Sequence, residues 1–129
     1  MIRPMRPEDV EAVVAILQEN KQMVDGVDYT QWSHPTLVAV HEGIVVGVIQ
    51  ALLGTPYAVM TEFSVAREFQ GKQYGVRLLE HMETALRLAG IPAYGAYVSD
   101  VNDHAADLFE RWGGVPTGHG KSFIRRFSP

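Results

Sequence analysis

Apolar and polar positions change period several times along the chain, and each change predicts an element. Ile2 to Met5 reads as a short strand. Pro7 suits the first turn of a helix, where its missing N–H is not needed, and Glu8 and Asp9 favour the positive end of that helix. Val10, Val13, Val14 and Leu17 then follow at helical spacing. The stretch "KQMVDGVDYTQWSHP", Lys21 to Pro35, has little periodicity and reads as loop with room for one helical turn. In an enzyme it is a candidate substrate-side wall, because long loops often carry function. "TLVAVHEGIVVGVIQALL" reads as two strands joined tightly at His41-Glu42-Gly43, with β-branched residues flanking a Gly-containing turn. Gly54, Thr55 and Pro56 make the next turn. Ala58 to Val65 is a third strand, apolar on both faces until Glu62, which predicts a central strand covered on both sides.

From about Tyr74 to Ala89 the period becomes helical. Gly75, Leu79, Met82, Leu86 and Ala89 form one stripe, flanked by Leu78 and Ala85. His81 and Glu83 fall outside that stripe and are expected at the surface. Gly90 ends the helix and Pro92 prevents its restart. Ala93 to Val98 is a strand. Asn102 is placed to cap a short helix carrying Ala105, Leu108, Phe109 and Trp112, with Gly113 and Gly114 at its end. Phe123 to Phe127 is the last strand. The order is strand, helix, hairpin, strand, helix, strand, helix, strand. It predicts a single α/β domain over residues 1–129, a mixed sheet flanked by helices.

Composition narrows the classes. A chain of 129 residues is long enough for a core without metal or disulfide staples. A net charge of -4 argues against nucleic acid as partner. Lys121, Arg125 and Arg126 form a small basic cluster that reads as a solvated strand edge. The absence of cysteine removes disulfides, thiolate metal sites and a covalent cysteine intermediate. "MIRPMRPEDV" does not read as a signal peptide, and no run approaches the roughly 18 apolar residues of a membrane helix. No membrane association is expected, and a cytoplasmic protein is the default. His34, His41, His81, His104 and His119 are scattered, without a pair at ligand spacing, so no metal is expected. His119, between Gly118 and Gly120, is a reserve candidate for a base.

The candidate chemistry begins after Val65. There a strand runs into "REFQGKQYG" and then into the helix at Tyr74. The head of such a helix offers unpaired N–H groups and partial positive charge, which suit an anion. Taken alone, a Gly-x-x-x-Gly spacing at this junction is more often a tight turn. It is neither a Walker A loop nor the dinucleotide Gly-x-Gly-x-x-Gly pattern.

Four blocks in order, "IRPMRPEDVEAV", "TLVAVHEGIVVGVI", "FSVAREFQGKQYGVRLLEHME" and "VNDHAADLFERWGG", resemble the GNAT-type N-acetyltransferases over nearly the whole chain. The resemblance implies the acyl-CoA N-acyltransferase fold, with a mostly antiparallel mixed sheet. It implies direct transfer of acetyl from acetyl-CoA, a cosubstrate, to the primary amine of a small molecule or a protein. The family loop is Gln or Arg, two residues, Gly, one residue, then Gly or Ala, and it binds pyrophosphate. Here it reads Gln70-x-x-Gln73-x-Gly75, with Gln73 in place of glycine. Gln loses permissive φ and room for close approach, and if residue 73 is helical only the approach matters. By resemblance, Phe63, Val65, Gln70, Gly71, Lys72, Gln73, Tyr74, Gly75, Asn102 and Phe109 are expected against the coenzyme.

The same resemblance puts the donor that polarises the thioester carbonyl on the Val65 backbone. Glu62 is the expected base: it interrupts an apolar strand three residues before Val65, and a buried carboxylate is costly unless bonded or functional. Its other reading is a strand-end carboxylate facing water. The family often has a tyrosine as general acid where this chain has Phe109. Coenzyme A has a thiol pKa near the ~8.5 of cysteine and leaves tolerably without help, so weak or differently assisted transfer is compatible with Phe109. Tyr97 is the substitute acid, or a half-buried tyrosine with its hydroxyl in water. Phe109 packs against the coenzyme arm or fills the core. The alternative is a non-catalytic binding module that kept the fold. By analogy, an exposed sheet edge invites a homodimer.

Overall fold

The computed structural model describes residues 1–33, 35–54, 57–97, 103–116 and 122–127. Along these run β1 (Ile2–Pro4), a 3₁₀ turn (Pro7–Asp9), α1 (Val10–Glu19), β2 (Thr36–His41), β3 (Ile44–Leu52) and β4 (Ala58–Val65). A second 3₁₀ turn (Arg67–Phe69), α2 (Tyr74–Leu88), β5 (Ala93–Tyr97), α3 (Asp103–Arg111), β6 (Val115–Pro116) and β7 (Ser122–Arg126) follow. The expected turn residues Thr55 and Pro56, and Val98, lie outside the described residues, as do Asn102, His34, His119 and Lys121.

The described strands form one sheet in the order β1-β2-β3-β4-β5-β7-β6. Each neighbouring pair is antiparallel except β4 and β5. The β2–β3 turn places Glu42 at φ 49 and Gly43 at φ 80, the left-handed pair that a two-residue hairpin needs. Asp9 secures the entry to α1: its carboxylate accepts from the Arg6 N–H at 2.7 Å and from both ends of the Arg3 guanidinium at 2.7 and 3.0 Å. The guanidinium bonds hold the Asp9 carboxyl below its usual range.

Two apolar clusters sandwich the sheet. Val13 and Leu17 of α1 pack on Val38, Val40 and Val48. On the opposite face Leu78, Leu79, Met82 and Leu86 of α2 join Ile49, Ala51, Met60, Phe63 and Val65, with Leu108 and Phe109 of α3. At roughly 25 cal/mol per Å² these apolar faces are the main stabilising term.

Three expectations change. β4 is central but not covered on both sides along its length: Val59 is 46% exposed and Thr61 is exposed, because α1 packs over β2 and β3 and stops short of them. Glu83 is buried rather than at the surface, accepting a 2.7 Å hydrogen bond from the Tyr94 hydroxyl. Arg125 is not solvated edge: β7 lies between β5 and β6, and Arg125 Nε stands 3.3 Å from Glu83 Oε2, an ion pair without hydrogen-bond geometry. β6 had no period to announce it in two residues; Pro116 there suits a sheet edge. Among the described residues, no helix is long and apolar enough to cross a membrane.

Candidate active site

The site begins with an extra residue. β3 and β4 pair Gln50 with Glu62 and Ala51 with Met60, so Thr61 is left over as a bulge. Bulges bend a strand and increase its twist. The parallel ladder from β4 to β5 covers Ala58–Tyr94, Val59–Gly95 and Met60–Ala96 and goes no further among the described residues. The bulge therefore falls where β4 departs from β5.

Beyond it, backbone alternation sets the chemistry. The Ala66 N–H donates to the Val46 carbonyl at 2.8 Å, so residue 66 faces β3. Val65 and Phe63, of opposite parity, turn their backbone groups to the parted side. The Val65 carbonyl there accepts from Asn20 Nδ2 at 2.8 Å and Gln70 Nε2 at 3.0 Å. The Phe63 carbonyl accepts from Gln22 Nε2 at 3.3 Å. The Val65 N–H shares that open side.

Glu62 projects to the α1 face beside its cross-strand partner Gln50. Gln50 is buried, accepts from Thr61 Oγ1 at 2.6 Å and donates to Thr36 Oγ1 at 3.1 Å. Thr36 Oγ1 in turn donates to the Ser33 carbonyl, which ties the 21–33 stretch to the strand. Glu62 is half-buried, and burial pushes its carboxyl up to about 7. A carboxyl at that value is half ionised near neutrality, where a base works best.

On the opposite face lies a cleft of about 380 Å³ lined by Val65, Phe69, Gln70, Gly71, Gln73 and Gly75, with Val76, Leu108, Arg111 and Trp112 closing it. Its rim is the head of α2. The first bond there runs from the Arg77 N–H to the Gln73 carbonyl, and no side chain caps the helix. The preceding N–H groups stay available to an anion. Trp112 Nε1 is buried with no acceptor among the described residues. Orphan donors, a glycine-lined wall and a volume fit for the thiol-bearing end of a nucleotide coenzyme agree with one another.

Of the residues expected at the coenzyme, Val65, Gln70, Gly71, Gln73 and Gly75 line this cleft. Gln73 lies at φ 72, ψ 4, left-handed rather than helical, so its φ matters as well as its bulk. Lys72 is exposed, its Nζ 5.4 Å from the centre of the Phe69 ring. The Tyr74 side chain turns away, its hydroxyl 2.6 Å from His41 Nδ1, leaving only its backbone at the loop. Phe63 and Phe109 meet edge to face at 5.6 Å, and Phe109 also stacks on Phe123 at 6.0 Å. Phe109 thus fills the core, 2% exposed. Tyr97 ends β5, paired with Ser122 through the backbone; its side chain, like Asn102, is outside the described residues. Sequence reasoning missed Asn20 and Gln22. It also missed the cleft walls on α3, whose signal is the Leu108, Arg111, Trp112 spacing of one helix face. Among the described residues, no group of three metal-binding side chains occurs.

A sheet parted at a bulge, with an uncapped helix head beside the gap, defines an α/β protein with an anion-binding cleft. Residues 8–114 match the Acetyltransferase (GNAT) family, and the chain belongs to it. No curated protein sequence matches it. Among solved structures it is similar to Ard1 from Thermoplasma volcanium, at 20% identity and TM-score 0.85, over 100% of this chain and 98% of that one. It is similar to the PaiA N-acetyltransferase of Thermoplasma acidophilum, solved with coenzyme A, at 19% identity and TM-score 0.80, over 98% of each chain. A GNAT family acetyltransferase of Brucella melitensis, solved with acetyl-CoA, matches at 20% identity and TM-score 0.73, over 100% of this chain and 88% of that one.

Proposed function

We propose that the protein transfers acetyl from acetyl-CoA directly to a primary amine, with Glu62 as base. The observation that carries this reading is the half-buried Glu62 carboxyl, pushed up to about 7, at the point where β4 leaves β5. The α2 head, through the backbone of Gln73 to Gly75, would hold the pyrophosphate, with Arg111 a cation in the cleft lining. Acetyl-CoA supplies an activated acyl carbon. The chain's part is to hold it and to manage protons. Glu62, directly or through water, takes the proton that an ammonium must lose before its nitrogen can attack. The Val65 N–H, on the open side of the strand, would donate to the developing oxyanion, a contact worth roughly 3–4 kcal/mol elsewhere. The N–C bond forms, the nitrogen of the tetrahedral adduct gives its second proton to water, the C–S bond breaks, and the coenzyme leaves as thiolate. With Phe109 buried among Phe63, Tyr94 and Phe123, no hydroxyl at that position can protonate it.

The buried Phe109 also favours a second reading, a coenzyme-binding module without turnover. Calorimetric titration with acetyl-CoA and a thiol-release assay with primary amines separate the two. Binding with release supports the transferase. Binding without release supports the module. No binding at millimolar acetyl-CoA defeats both.

A further inference from the structure

α1 ends in an unusual way. Asn20 donates to Ser64 Oγ at 2.6 Å and to the Val65 carbonyl at 2.8 Å, fixing the helix end against β4. Lys21 then adopts φ 56, the left-handed region, and the Gln22 N–H returns to the Leu17 carbonyl at 2.9 Å. This turn aims the Gln22 side chain at the strand edge. Its Nε2 donates to the Phe63 carbonyl at 3.3 Å. Only the nitrogen end of an amide can make that contact, so the oxygen end is fixed as well. Gln22 Oε1 is buried and has no donor among the described residues.

A buried amide oxygen without a donor is costly, and each such orphan in a folded protein calls for a partner, which a bound ligand can supply. The missing group must be an N–H or O–H donor. Gln22 is not among the residues that line the coenzyme cleft. It reaches Phe63 from the α1 side, the face onto which Glu62 projects one residue earlier. The donor therefore comes from the Glu62 side.

We propose that Gln22 binds the acceptor, its Oε1 taking a hydrogen bond from the N–H of the amine that is to be acetylated. This rests on the transferase reading. It deepens that reading by giving the acceptor two oxygen partners, the Gln22 amide and the Glu62 carboxylate. Such a pair selects a primary amine, which yields one proton to Glu62 and a second as the amide forms and still keeps an N–H for Gln22. A secondary amine yields its proton to Glu62 and keeps one N–H, which is lost as the amide forms; a tertiary amine keeps none.

The direct test follows the Gln22 side-chain carbonyl and amide resonances while putrescine, phenethylamine, alaninamide or trialanine is added to protein saturated with coenzyme A. A saturable shift with at least one amine is expected. Resonances unmoved by all four overturn the proposal, whereas the transferase reading fails separately, on the absence of acetyl-CoA binding by calorimetry. A kinetic arm separates binding from bracing. Gln22→Lys keeps a donor for the Phe63 carbonyl but has no acceptor. Gln22→Glu keeps an acceptor but loses that donor. Binding of the amine predicts that Lys is the more damaging, raising the amine KM about 10- to 100-fold and sparing the acetyl-CoA KM. A structural brace reverses the order, and a rise confined to the acetyl-CoA KM also overturns the proposal. Melting curves confirm that both variants fold.

Discussion

Glu62 is a residue whose cost and use have the same origin. Its half-burial disfavours the carboxylate, and the resulting value of about 7 is what a base for neutral pH needs. Two measurements follow from that. The kcat/KM profile for an amine should rise through an inflexion near 7, and Glu62→Gln should remove the inflexion and about 10²–10⁴-fold of the rate. An inflexion that survives the substitution assigns the base elsewhere. Stability should move in the opposite sense. The folded-state value lies above the 4.5 of the free side chain. The contribution of Glu62 is therefore fully present below about 4.5 and is lost as pH rises through about 7. The melting temperature of Glu62→Gln should accordingly gain on the native protein between pH 5 and pH 8. A constant difference across that range would mean that Glu62 is solvated.

At the scale of elements, the head of α2 combines a working shape with an awkward residue. Gln73 sits at φ 72 just before the helix, and Gly71 sits at φ 76 two residues earlier. A non-glycine residue there is strained by roughly 1–2 kcal/mol, while glycine would add unfolded-state entropy costing about 0.4–1 kcal/mol. Gln73→Gly should thus raise stability by about 0.5 kcal/mol in urea melts, a small gain, and should bring a phosphate closer to the helix head and tighten acetyl-CoA binding severalfold. Unchanged or weaker calorimetric affinity would mean that the Gln73 side chain itself contributes to binding. The loop was legible in the sequence because strand, glycine and helix period occur in a fixed order; the left-handed φ of Gln73 was not, since no local period encodes it. The central place of β4, the hairpin at Glu42-Gly43 and the extent of α2 were legible for the same reason as the loop. Glu62 was legible as a polar break in an apolar run. The burial of Glu83 was not, because its partners Tyr94 and Arg125 come from strands 11 or more residues away. Asn20 and Gln22 escaped notice because an amide side chain after a helix looks like any surface residue until a strand from 41 or more positions on meets it.

For the whole molecule, the parted sheet creates a problem of attachment. β5, β7 and β6 are joined to β4 by a ladder of three register pairs, against six between β3 and β4. Cross-links that span the division must hold the cleft's width. One is aromatic: Phe109 on α3 bridges Phe63 of β4 and Phe123 of β7. The other is ionic: Glu83 of α2 takes the Tyr94 hydroxyl of β5 and faces Arg125 of β7, while Arg87 lies 3.9 Å away. Burial and the Glu83 carboxylate both hold the Tyr94 hydroxyl well above its ordinary range, so it remains a donor at every working pH. Removing one partner of a fully buried ion pair costs about 3–5 kcal/mol, and the partial exposure of Arg125 puts Glu83→Ala at the low end, about 3 kcal/mol. If the link is a clamp on one half of the sheet, the loss should be local. Hydrogen exchange in Glu83→Ala should accelerate at the amides of β5 and β7 more than at those of β2 and β3, because the short ladder lets that half open before the whole molecule unfolds. Acetyl-CoA should restore much of the difference, since the cleft walls belong to β4 on one side and to α3 on the other. Equal acceleration in all four strands would show that Glu83 stabilises the fold as a unit, and that the bulge at Thr61 divides the sheet in geometry but not in energy.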